Sequence, residues 1–262
     1  MRRIIFLFIL LFTSLTSNAQ DYKINLLDQQ ITQLGQLIWK NEGQQKLIHL
    51  TTWNKGEDFP SLGIGHFIWY PTQTKGAFKE QFPALLSYFK ERGIILPTWL
   101  DQTSLAPWKS REQFYSEFNE PQLTNLRLFL SNHINAQVRF IIQRLENAIP
   151  TILTSSTASE QQRIKSNLEK LTSTPEGVFV LLDYINFKGE GISDKEAYQG
   201  EGWGLKQVLL AMPKQYKKPR RAFAFAADEV LTRRVKNAPR DESRWLKGWR
   251  IRIHAYQSIT VN

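Results

Sequence analysis

At 262 residues the chain is long enough to bury a sizeable core, and with no cysteine that core has no disulfide to reinforce it. The same absence excludes an acylated-cysteine lipid anchor. The chain carries 34 Lys and Arg against 24 Asp and Glu, and the excess is uneven: residues 21–187 hold 16 of each sign, whereas residues 188–262 hold 16 basic and 8 acidic. Such asymmetry favours encounter with an anionic polymer.

Residues 1–20 read as a secretory signal peptide: a basic start at Arg2 and Arg3, an apolar run over 4–15, and small residues at Ser17 and Ala19. The apolar run is shorter than the roughly 20 residues that a membrane span needs. Export to the periplasm or medium is therefore expected, with no stable membrane span after cleavage and with residues 21–262 as one domain. Outside the cytoplasm the anionic candidates are cell wall, lipid headgroups and stray nucleic acid.

In the mature chain, Ile24, Leu27, Ile31, Leu34 and Ile38 follow the 3, 4, 3, 4 spacing of one helical stripe, and Glu42 is its next member. Gly43 is the expected stop. Residues 47–53 and 57–69 read as two strands of a hairpin joined at Asn54, Lys55 and Gly56. Pro60 fits only an edge strand, which leaves one side of the hairpin open. Helical periodicity follows over 77–92, 112–118, 123–148, 160–171, 176–187, 205–212, 221–236 and 241–256, with 151–159 as the most linker-like stretch. The class is α+β and mainly helical, with a small sheet to one side.

Candidate chemistry lies where the first helix meets the hairpin. A carboxylate at a helix C-terminus and at the end of an apolar stripe is opposed by the dipole and by desolvation, so Glu42 is expected to hold its proton unusually well, as a general acid must. Alternation along 57–69 puts Glu57, Ser61, Gly63 and Gly65 on one face, offering a carboxylate, a hydroxyl and two positions of close backbone approach. Asp58, Leu62, Ile64 and His66 share the other face. A bulge at Pro60 would reverse that parity and favour Asp58 over Glu57.

The helix end "NEG", the hairpin and the run "SLGIGH" together resemble the phage-type lysozymes over residues 34–67. The resemblance implies a lysozyme-like fold with a β-hairpin lobe and a helical lobe, here with a helical insertion around 72–172. It implies Glu42 as catalytic acid, Ser61 in place of the family's water-holding threonine, and His66 as a structural residue. The family's second carboxylate belongs near Thr52, Trp53 and Asn54, where this chain has none. Glu57, with Asp58 as alternate, is the nearest replacement.

Trp53 and Asn54, beside that turn, are candidates for contacting a sugar, and Asn186, Lys188 and Glu190 are candidates for the opposite wall. The expectation is cleavage of peptidoglycan between N-acetylmuramic acid and N-acetylglucosamine by a monomeric enzyme without cofactor. The alternatives are a lytic transglycosylase and a non-catalytic wall-binding protein. His49, His66, His133 and His254 have no metal-ligand spacing, and no phosphate loop, nucleophile elbow or nucleic-acid reader motif is present. On the helical face of Trp245, Trp249, Arg252 and Tyr256, packing of the last helix outweighs sugar stacking.

Overall fold

The computed structural model of the protein describes residues 22–261, apart from residues 74, 75 and 77. The segment read as a signal peptide lies outside the described residues. Helix α1 spans Asp28–Gly43 and buries Ile31, Leu34 and Ile38. Ile24 and Leu27 precede it, because the backbone N–H of Leu27 donates to the Gln30 side chain and that of Ile24 to Glu146. Gly43 is still helical. The reversal falls to Gln44 and Gln45, both left-handed (φ 53° and 57°), whose N–H groups return to Lys40 and Trp39.

A 3-10 turn, Leu47–Leu50, leads into β1 (Thr51–Thr52), β2 (Ser61–Leu62) and β3 (Phe67–Ile68), an antiparallel meander in the order β1-β2-β3. Thr52 opposes Ser61, and Ser61 opposes Ile68. The stretch that reads as one returning strand over 57–69 is thus divided. Gly63 (φ 73°) and His66 (φ 48°) turn the chain back between β2 and β3, and residues 57–60 form no strand. Strand parity therefore does not govern Glu57 or Gly65. Pro60 stands just before β2, the central strand, and its carbonyl accepts from the Trp69 N–H at 3.2 Å, so the expected open edge is closed.

Helices α2 (Phe82–Glu91), α3 (Thr98–Asp101) and α4 (Arg111–Ser116) follow. The pattern over 123–148 is two helices, α5 (Pro121–Asn132) and α6 (Ile134–Thr154), broken at His133. At the break the Leu130 carbonyl takes the His133 N–H, and the buried Gln137 side chain also meets it through Nε2 at 2.7 Å. Gln137 Oε1 accepts the Ile64 N–H at 2.9 Å and so ties the turn between β2 and β3 to the helices. Residues 151–159 are not a linker: α6 runs to Thr154, and Thr157 caps α7 (Ala158–Thr172) in a reciprocal bond with Glu160.

Helix α8 (Pro175–Lys188) is buried without interruption from Gly177 to Ile185. A helix apolar on every side belongs inside the core, and α1, α6, α7, α9 (Leu205–Ala211) and α10 (Pro219–Asn237) pack around it. Between α8 and α9 lies a two-stranded hairpin, β4 (Ala197–Tyr198) with β5 (Glu201–Gly202). The last helix, α11 (Ser243–Ala255), packs on α10. The fold is mainly helical α+β, and most of its buried hydrophobic residues form one cluster from Ile31 to Tyr256. Among the described residues no helix is long and apolar enough to cross a membrane.

A Cβ on Gly63 would stand 2.3 Å from Gln137 Oε1, at a backbone angle that side chains disfavour. Gly63→Ala should lower the unfolding free energy by about 1–2 kcal/mol from backbone strain alone. Displacing Gln137 from the Ile64 N–H adds about 1–3 kcal/mol. Urea denaturation measures the sum, and a loss under about 0.5 kcal/mol, the scale of a neutral surface change, would contradict this account of the turn.

Candidate active site

A cleft of about 430 Å³ is lined by the end of α1, the meander and the C-terminal end of α8, with β4 and α10 at its far side. Glu42 enters it from the last turn of α1, with its side chain 13% exposed. Its Oε1 accepts from Arg252 Nη2 at 2.6 Å and Asn186 Nδ2 at 3.2 Å, and its Oε2 lies 3.6 Å from His66 Nδ1.

Arg252 is also the partner of Asp183, which is fully buried in α8. Its Nε donates to Oδ2 and its Nη2 to Oδ1, both at 2.8 Å. Tyr256 donates to Oδ2 at 2.6 Å and Asn41 to Oδ1 at 3.0 Å, so every strong acceptor position of Asp183 is occupied. The guanidinium lies over the Phe187 ring at 4.2 Å.

This network reverses the protonation expected of Glu42. Burial does raise its pKa, but the Arg252 and His66 charges and the bonds from Arg252 and Asn186 outweigh it, so Glu42 is held below the usual glutamate value. Helix position alone gave the wrong sign because the opposing cation comes from α11. Burial lowers the pKa of His66, although the Glu42 charge pulls the other way. His66 lines the cleft against Glu42, in addition to serving the turn through its left-handed backbone.

Glu57, Ser61, Asn54 and Gly65 also line the cleft, and exposed Asp58 does not. Asn54 donates to Glu57 Oε2 at 3.1 Å, yet half-burial prevails and raises the Glu57 pKa. Asn186 lines the cleft and bridges Glu42 to the Gly65 carbonyl at 3.0 Å, while Lys188 extends the same wall.

Three expected contacts fall elsewhere. Trp53 is only 3% exposed: its ring packs edge-on to Phe114 and its Nε1 donates to the Glu57 carbonyl at 2.7 Å, so it braces the turn from within the core. Gly63 faces Gln137 and not the cleft. Glu190 follows Gly189 (φ 80°), which turns the chain at the end of α8, and it pairs with Lys79 at 3.6 Å.

Sequence alone gives Arg252 and Tyr256 a packing role on the last helix and Asp183 none, although two signals bear on their joint place at the site. Asp183 is the only charge in the apolar run "GVFVLLDYI", and Arg252 precedes Tyr256 by one helical turn on an inward face. Phe187, Tyr198, Trp203 and Arg234 also line the cleft, and no local sequence pattern marks them as its wall. Comparison of the chain with family models, with curated proteins and with solved structures finds no match.

Arg252→Met would leave the Asp183 charge buried without its cation, a loss of about 3–5 kcal/mol by chemical denaturation. Adding Asp183→Asn should recover part of it, because the fully buried one of the two carboxylates that Arg252 serves is then neutral. Glu42 contributes through a depressed folded pKa, so its ion-pair contribution is complete above the unfolded value of 4.5 and lost as pH falls through the folded one. The stability gap between wild type and Glu42→Gln should accordingly be widest above pH 4.5 and close in acid.

Proposed function

We propose that the protein is an exported, lysozyme-like glycoside hydrolase that cleaves peptidoglycan between N-acetylmuramic acid and N-acetylglucosamine, with Glu42 as general acid. The observation that carries this reading is one cleft that gathers Glu42 from α1 with Glu57 and Ser61 from the meander. A carboxyl group able to protonate a glycosidic oxygen thus shares a site with a second carboxyl and a hydroxyl able to orient water or steady an oxocarbenium-like sugar. The partly exposed aromatic side chains of Phe187 and Tyr198 offer sugar rings an apolar surface in the same cleft. The second polar group favours hydrolysis over the transglycosylase alternative, which needs only the acid.

Arg252 sets the working pH of such an acid. Only the protonated fraction of Glu42 donates, and that fraction grows as pH falls toward its depressed pKa. The basic limb of kcat/KM, which reports the free enzyme, should therefore lie below the ordinary glutamate value of 4.5.

The charge pattern also supports exchanged roles for the same reaction. Burial raises Glu57 while Arg252 keeps Glu42 ionised, the division expected if Glu57 gives the proton and Glu42 stabilises the positive sugar or activates water. The leaving group separates the two assignments. A nitrophenyl glycoside of the oligosaccharide needs no protonation on departure, so the variant lacking the acid retains cleavage of it, and the variant lacking the other carboxylate does not.

Glu42→Gln should fold and should lower release of reducing ends from purified sacculi by at least the roughly 100-fold typical of a positioned acid or base. Glu57→Gln should also be impaired, and Asp58→Asn should stay near wild type. Near-normal lysis by Glu42→Gln would defeat the proposal. Anhydro-muramyl ends in the products would move it to a transglycosylase.

A further inference from the structure

Among the described residues, Arg252, Arg234 and Arg144 are largely buried cations at the cleft, the first two with carboxylate partners and Arg144 with the Gln81 and Asn186 side-chain oxygens. Arg252 is taken by Asp183 and Glu42. Arg234 donates through Nε to the buried Glu242 at 3.0 Å and lies over the Trp203 ring at 4.1 Å. Lys188, the last residue of α8, is the exception. It lines the cleft at 8% exposure, with its Nζ 3.5 Å from the centre of the Trp249 ring and 4.0 Å from that of Phe187. No described residue pairs with it through a hydrogen bond or an ion pair.

Burial pushes the Lys188 ammonium well below its ordinary pKa. Arg234 and Arg252 add to this, and Glu242 and Glu42 oppose it. A buried amine without a counter-charge gives up its proton readily, a bound carboxylate favours its return, and such a group opening into a cleft marks a functional position. The absent counter-charge has a natural source in a bound molecule. A single lysine between aromatic rings suits one carboxylate on a ring-shaped body, whereas a doubly charged phosphate calls for more donors than remain here.

We propose that Lys188, with Arg234 beside it, forms an anion subsite that takes a carboxylate carried by the bound glycan. The inference rests on the reading of the cleft as a glycan site and adds a specificity to it. The enzyme selects acidic sugars over neutral ones of the same length.

The test is binding to wild-type protein, followed by stopped-flow tryptophan fluorescence before turnover. The ligands are a tetramer alternating N-acetylglucosamine with N-acetylmuramic acid, the same tetramer with its lactyl carboxylates reduced to alcohols, and a tetramer alternating with glucuronic acid. The muramic tetramer should bind at least about tenfold more tightly than its reduced form, the scale of one charge-assisted hydrogen bond. Lys188→Met should abolish that preference, and Lys188→Arg should restore it.

A tighter glucuronic tetramer, with the preference again lost in Lys188→Met, would place the carboxylate on the ring and keep the subsite. Equal binding of acidic and reduced tetramers by wild type overturns the subsite alone, and needs no variant to fold. A preference that survives Lys188→Met overturns it too. Failure of all three tetramers to bind overturns both the subsite and the glycan reading.

Discussion

The guanidinium of Arg252 fixes how three distant parts of the chain meet. It joins α11 to Asp183 in the central helix and to Glu42 at the end of α1, a partner 210 positions away. Removing two such charges from water costs several kcal/mol per ion, and the arrangement is stable only where geometry and further hydrogen bonds compensate. Asp183 meets that condition with bonds from Arg252, Tyr256 and Asn41. Glu42 then receives what remains of the same guanidinium. Its place in the cleft and its charge are therefore consequences of how a buried aspartate is satisfied, and the chemistry of the cleft is inseparable from the packing of the last helix.

The opposite wall depends on neutral polar contacts. Gln137 reaches across from α6 to the Leu130 carbonyl, which also takes the His133 N–H at the break between the helices, and its other end holds the Ile64 N–H. Pinned there, the turn places Gly65 where its carbonyl meets Asn186, whose same amide group bonds Glu42. Trp53 braces the Glu57 turn from below through the Glu57 carbonyl. The two walls thus rest on different physics: an ion network that responds to pH on one side, and amide and indole hydrogen bonds that do not on the other.

What could be read from the sequence follows the range of the interactions involved. The helical class, the burial of Ile31, Leu34 and Ile38 and the place of Glu42 on their stripe are set by local periodicity. Strand parity groups Glu57 with Ser61, and the two do line one cleft, but residues 57–60 form no strand, so the grouping arises from the turn and not from alternation. Gly63 and His66 supply positive φ in mid-run, and His66 gives no compositional warning of it. The sign of the Glu42 shift was not legible at all. Dipole and burial are properties of a segment, whereas the countervailing charge belongs to a helix whose docking no local pattern encodes.

The basic C-terminal third takes on a different meaning in three dimensions. As composition it suggests a surface that attracts an anionic polymer, and many of its Lys and Arg do remain on exposed faces of α10 and α11. Arg234, Arg252 and Lys188 point inward instead, and two of these are matched by Glu242, Asp183 and Glu42. Surface charge steers encounter and is screened by salt over about 10 Å at 0.1 M. Buried charge is screened far less and acts over the length of a hydrogen bond. A single stretch of sequence thereby serves two ranges of electrostatics: its exposed part contributes the long-range field that salt screens, and its buried part bears on which residue of the cleft ionises.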